Sequence, residues 1–156
     1  MNYLIAQLCV VVLSAAYSID QKQDQLSVSD LNEQAKHFLA INRDSACYFA
    51  SEGFLLLEKH PGEFPIEEGK NFLMRGMCQK YQGKRDSAYQ LFDKARRIFE
   101  KQNSPKELGT SYWYLGKIWH ELNQFEKAKP FYEESRQILE DAEAYSTAIQ
   151  VVMGWQ

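Results

Sequence analysis

From Ala88 onward, apolar or small residues fall at offsets of 0, 3, 4, 7, 10 and 11: Ala88, Leu91, Phe92, Ala95, Ile98 and Phe99. That spacing keeps them on one face of a helix of about four turns. The same offsets recur downstream as Ala128, Phe131, Tyr132, Ser135, Ile138 and Leu139, and upstream as Ala46, Phe49, Ala50, Gly53, Leu56 and Leu57. Asp44-Ser45 and Asp86-Ser87 repeat a polar lead-in, and Glu126 keeps an acid at the third helix start, where the helix dipole favours negative charge. The last two of these helices each have a preceding partner in register. Phe72 and Gly76 precede Ala88 at the same offsets by which Tyr112 and Gly116 precede Ala128. Gly83 and Asn123, equally placed ahead of those two alanines, mark the turns, since both types tolerate a positive φ. Ser104-Pro105-Lys106-Glu107 predicts an N-cap, a proline at the first helical position and a capping-box Glu, opening a helix through about Leu122. Upstream, Ser29 to Ile41 keeps a looser apolar face of Leu31, Ala35, Phe38 and Leu39.

Met1 to Ser18 carries no charged side chain, and its apolar run ends in Ser14-Ala15-Ala16-Tyr17-Ser18. The run is short of the roughly 20 residues that cross a bilayer, so 1–18 reads as a signal peptide, cut after Ala16 or Ser18. Export to a periplasm or beyond follows, an uncleaved anchor being the alternative because no Lys or Arg precedes the run. Residues 19–28 read as a linker and 29–156 as the repeat domain, with helical pairs at about 29–59, 66–102 and 104–141 and a partial repeat at 142–156. That last stretch carries Ala144, Ala148, Ile149, Val151, Val152, Met153 and Trp155, and Gly154 follows Gly116 by nearly one repeat spacing, as if opening another repeat. It reads as part of a longer protein, or as an apolar helix available for self-association.

The set Tyr112, Leu115, Gly116, Trp119, Phe125, Ala128, Tyr132 and Ser135 resembles the tetratricopeptide repeat. Its pattern runs aromatic, Leu-Gly, aromatic, turn, Ala, aromatic, small residue. The middle repeat supplies Phe72, Gly76, Gly83, Ala88, Phe92 and Ala95, departing at Arg75 and Gln79, where Leu and an aromatic are expected. The first repeat matches only in its second helix. The spacings from Ala46 to Ala88 and from Ala88 to Ala128 exceed the usual ~34 and resemble the longer-helix subset of bacterial signalling proteins and kinesin light chains. The resemblance covers roughly 27–156.

It implies an all-α, right-handed superhelical solenoid of antiparallel helix pairs that binds protein or peptide in a concave groove lined by the first helix of each pair. It puts Lys70, Leu73, Met77, Lys80 and Tyr81 in that groove, with Thr110, Trp113, Lys117, His120 and Glu121. Trp113 and Tyr81 would offer rigid apolar faces, Met77 adaptable packing, and Lys80 with Lys117 positive charge, suiting an apolar segment that carries a carboxylate. The competing reading has Trp113 covering a neighbouring helix and the lysines serving solubility. The Lys and Asn arrangement of the family's chaperone-tail clamp is missing, so that ligand is not implied. By the same resemblance Cys47 and Cys78 face each other between adjacent repeats. A disulfide and two buried free thiols both fit, and the usual burial of Cys favours the thiols.

At 156 residues, 45% apolar and 13% aromatic, with eight Gly and four Pro, the chain is sized and composed for one packed domain. A net charge of −3 is no footprint for nucleic acid. His37, His60 and His120 sit in separate segments without metal-ligand spacing, and no nucleophile elbow, phosphate loop or dinucleotide fingerprint occurs. These patterns point to a non-catalytic scaffold without cofactor or metal, whose partner is a protein or peptide. The alternative is the N-terminal sensor portion of a bacterial histidine kinase or membrane-tethered transcription regulator, with its span and output domain elsewhere.

Overall fold

In this computed structural model the described residues are 27–142, and they form helices joined by short turns, with no strand among them. Helix α1 covers 27–38, followed by α2 (Arg43–Leu57), α3 (Pro65–Tyr81), α4 (Arg85–Lys101), α5 (Pro105–Glu121) and α6 (Phe125–Asp141). Residues 27 and 28, which the residue pattern leaves in a linker, are already helical, and Val28 is buried with Leu57 and Phe64. The expected signal peptide, most of the expected linker and the stretch after 142 expected to open a partial repeat lie outside the described residues.

The turns follow local chemistry. Gly83 (φ 77°) and Asn123 (φ 57°) take the left-handed conformation between α3 and α4 and between α5 and α6. Asn42 caps α2, its side chain accepting from the Ser45 N–H at 3.1 Å. Pro105 does begin α5 and Ser104 is its N-cap residue, but the Ser104 side chain makes no capping hydrogen bond. The expected reciprocal capping box is therefore not formed, and the proline's fixed φ starts the helix without it.

Glycines set how closely the helices pack. A Cβ at Gly69 would lie 2.7 Å from Phe99, and one at Gly76 would lie 2.4 Å from Phe92. Gly109 and Gly116 stand in the same relation to Leu139 and Tyr132, at 2.6 and 2.9 Å. As α3 or α5 is climbed its contacts descend α4 or α6, so each pair is antiparallel, and large side chains of one helix fill the glycine notches of the other. Successive pairs are joined in turn: Phe92 of α4 stacks on Tyr114 of α5 at 4.9 Å, and Cys47 of α2 is bonded to Cys78 of α3. The central core runs through Leu73, Met74, Met77, Ala88, Phe92, Ala95, Phe99, Leu115 and Ile118. The result is a helical solenoid in which each helix packs on the next.

Candidate peptide-binding groove

The first helices of the three pairs, α1, α3 and α5, border a groove of about 350 Å³. Its apolar surface comes from Leu73 and Met74 on α3 and Tyr114 on α5. Tyr114 is held by its stack on Phe92, and burial, with a smaller contribution from Tyr81, pushes its hydroxyl up to about 12. Lys36 of α1, Lys70 of α3 and Lys106 of α5 stand around that surface, interleaved with Glu33 and Glu107, while Asn32 and Thr110 complete the lining.

One wall is fixed by a buried polar network. The Asn32 Nδ2 donates to the Glu67 carboxylate at 2.9 Å and to the Glu67 backbone carbonyl at 3.0 Å. Asn71 Nδ2 donates to Asn32 Oδ1 at 3.0 Å and to the Ala50 carbonyl at 2.9 Å. Lys70 completes the set, donating to the other Glu67 oxygen at 2.9 Å. Gly53 makes room for it, since a Cβ there would come within 2.9 Å of Asn71 Nδ2. Three helices are thereby tied through fully or nearly buried polar groups, which is stabilising only because they satisfy one another. The Asn71 Oδ1 is the exception, buried without a partner.

Residues 71–141, which include α4, α5 and α6 whole and α3 from Asn71 onward, match the family model of the tetratricopeptide repeat. Over that stretch the chain carries the tetratricopeptide repeat. No curated protein matches the sequence. Tetratricopeptide repeats generally mediate protein–protein interaction and are typically non-catalytic scaffolds. Among the described residues, no cluster of His, Cys, Asp or Glu could hold a metal ion, and no helix is long and apolar enough to cross a membrane.

Of the residues that the repeat pattern places in the groove, Lys70, Leu73 and Thr110 line it. Met77 does not: it is 8% exposed and belongs to the core, because α3 is covered on that side by its neighbours. Lys80 reaches across to Glu121 of α5 at 2.5 Å, and the Arg43 guanidinium covers the Tyr81 ring at 4.3 Å. Trp113 packs against Ala128, Tyr132 and Leu139 of α6, with its indole N–H buried and unpartnered. The Lys117 ammonium lies over the Trp113 ring at 4.7 Å, its pKa lowered by burial first and by Lys80 second, with Glu121 opposing. Both side chains are half-buried rather than freely exposed. His120 turns toward α6, its Nδ1 3.3 Å from the Tyr132 hydroxyl and its ring edge-on to Phe125. The repeat's inward positions in the C-terminal halves of α3 and α5 are thus occupied with one another, with Arg43 or with α6.

Residues missed by the pattern include Asn32, Glu33 and Lys36, because α1 follows the repeat only loosely, and Lys106, Glu107 and Tyr114. As for the cysteines, their sulfurs are 2.13 Å apart with Cα atoms at 5.6 Å. The structure holds the bonded pair, not the two free thiols that burial statistics favour, because adjacent helices set the two Cβ atoms face to face.

Proposed function

We propose that this repeat protein binds a segment of a partner protein in the groove across α1, α3 and α5 and performs no chemistry on it. The observation that carries this reading is the convergence of Lys36, Lys70 and Lys106, from three different helices, around Leu73, Met74 and Tyr114. Such a site suits a peptide with a carboxylate beside an aliphatic or aromatic side chain. Stacked helices and the Asn32–Glu67–Asn71 network hold the walls in place before the ligand arrives, so little ordering entropy opposes binding. We further propose that the protein is exported, with 1–18 as its signal. The Cys47–Cys78 bond supports this, since disulfides persist in oxidising compartments.

Selection of a random peptide library on the immobilised protein tests the groove. Acidic peptides carrying an aromatic or aliphatic residue should be enriched, with affinity falling at least tenfold in Lys106→Glu and in Tyr114→Ala. Enrichment of peptides that bind both variants as well as the wild type would refute the groove. Cell fractionation followed by amino-terminal sequencing of the protein tests export, which fails if the protein is found in the cytoplasmic fraction with Met1 retained.

A further inference from the structure

Three large apolar residues are left on the outside of the first repeat: Ile41 (66% exposed), Tyr48 (60%) and Leu55 (54%). They are spaced by seven, two helical turns, so Tyr48 and Leu55 form one stripe along α2 with Ile41 just before it. The repeat itself does not ask for them. At the equivalent positions of the second repeat stand Gly83, Gln90 and Arg97, and at those of the third stand Asn123, Pro130 and Gln137, every one exposed. Apolar side chains at surface positions that are polar or turn residues in the other two copies of the same unit mark a face with a partner.

We propose that this partner is a second copy of the chain, with the two α2 helices antiparallel about a two-fold axis between Ser51 and Glu52. Tyr48 and Leu55 lie symmetrically about that point, and so do Asp44 and Lys59. An antiparallel pair therefore sets Tyr48 against the partner subunit's Leu55 and Asp44 against the partner subunit's Lys59, each contact occurring twice. Asp44 and Lys59 form no ion pair within their own chain among the described residues. A parallel pair would instead oppose Asp44 to Asp44 and align the two helix dipoles, both unfavourable. Ser51 at the crossing is small, and its hydroxyl already donates to the Cys47 carbonyl at 2.8 Å, so a neighbouring helix can approach without stranding it. Three side chains make a stripe smaller than the ~800 Å² per partner of a standard interface, so the dimer is weak and reversible. It lies on a different element from the apolar C-terminal stretch.

Sedimentation velocity of the purified protein from about 5 to about 500 µM should show a concentration-dependent shift from monomer to dimer. Tyr48→Gln with Leu55→Arg, which installs the residues of the second repeat, should weaken the dimer at least tenfold with the helical circular dichroism unchanged. Asp44→Lys alone and Lys59→Asp alone should each weaken it, and the two together should restore it. A monomer at every concentration, as expected if another protein or another part of this chain covers the stripe, overturns the proposal. So does a dimer indifferent to Tyr48→Gln/Leu55→Arg, or a double charge swap no tighter than the single ones.

Discussion

Replacing Gly76 by alanine separates helix propensity from packing, because the two act in opposite directions. In an unencumbered helix interior the change should stabilise by about 0.5–1 kcal/mol. Here the new methyl would sit 2.4 Å from Phe92 Cε1 and 2.6 Å from Cδ1, about 1 Å inside ordinary carbon contact. Phe92 has no exposure, and Tyr114 is stacked on it at 4.9 Å with the planes 15° apart, so the ring cannot withdraw without displacing the groove's aromatic surface. Overpacking of this kind costs about 1–3 kcal/mol, and so large an overlap belongs near the upper end. The expected net loss is about 2 kcal/mol, read from urea unfolding followed by far-ultraviolet circular dichroism. Phe92→Leu, destabilising by itself, should make the alanine much less costly, so the double-mutant cycle should show a coupling of about 1 kcal/mol or more. A Gly76→Ala protein as stable as the wild type, or more so, would show that α3 and α4 can part freely and would sink the notch-and-ring account of pairing.

Asn32→Ala removes the neutral donor from the nearly buried Glu67 carboxylate and one acceptor from Asn71, and should cost about 2–3 kcal/mol in chemical denaturation; a loss under about 0.5 kcal/mol would mean the network contributes little. Reduction of the Cys47–Cys78 bond, which closes a loop with a sequence separation of 31, should lower stability by about 3–4 kcal/mol. Peptide mapping after alkylation without reductant should find both cysteines unlabelled, and labelling of either would refute the bond. Tyr114 titrates near 10 in the unfolded chain and about 12 in the fold, so its contribution is complete below pH 10 and is lost as pH rises toward 12. The urea midpoint should fall across that interval, less steeply in Tyr114→Phe, and equal slopes in the two proteins would exclude Tyr114 as a cause.

The repeat register was readable because one template recurs: Gly76 and Phe92, Gly116 and Tyr132, and the left-handed Gly83 and Asn123 all occupy equivalent places. The same logic reaches Gly69 and Gly109, one repeat spacing apart, which the pattern shows as plainly but which take their meaning only from Phe99 and Leu139 opposite them. Asn32 and Asn71 were less accessible. They are polar residues whose value lies in each other, 39 positions apart, and apolar periodicity says nothing about such pairs. Met77 and Trp113 show a further limit. A position on a helix fixes the direction of a side chain, but whether that direction ends in solvent depends on how far the neighbours extend, and Trp113 meets α6 where a freely exposed face is expected.

Charge placement divides the inner surface into two ends with different capacities for a ligand. Toward the C-terminal ends of α3 and α5 every cation is engaged: Lys80 with Glu121, Lys117 on Trp113, and Arg43 on Tyr81. A ligand carboxylate arriving there must displace a half-buried partner, and the charge left behind loses its compensation. Around the N-terminal halves the constraint is weaker. Lys36 is only 3.9 Å from Glu33 in an exposed pair of the kind worth little, and Lys106 has no ion-pair partner among the described residues. Lys70 is committed to Glu67 and acts there as part of the wall. In the proposed reading, a ligand carboxylate would therefore meet Lys36 and Lys106, with Tyr114 in the same lining as the apolar contact. Charge reversal at Lys106 should accordingly weaken peptide capture more than charge reversal at Lys117, even though Lys117 is the lysine that the repeat pattern points to.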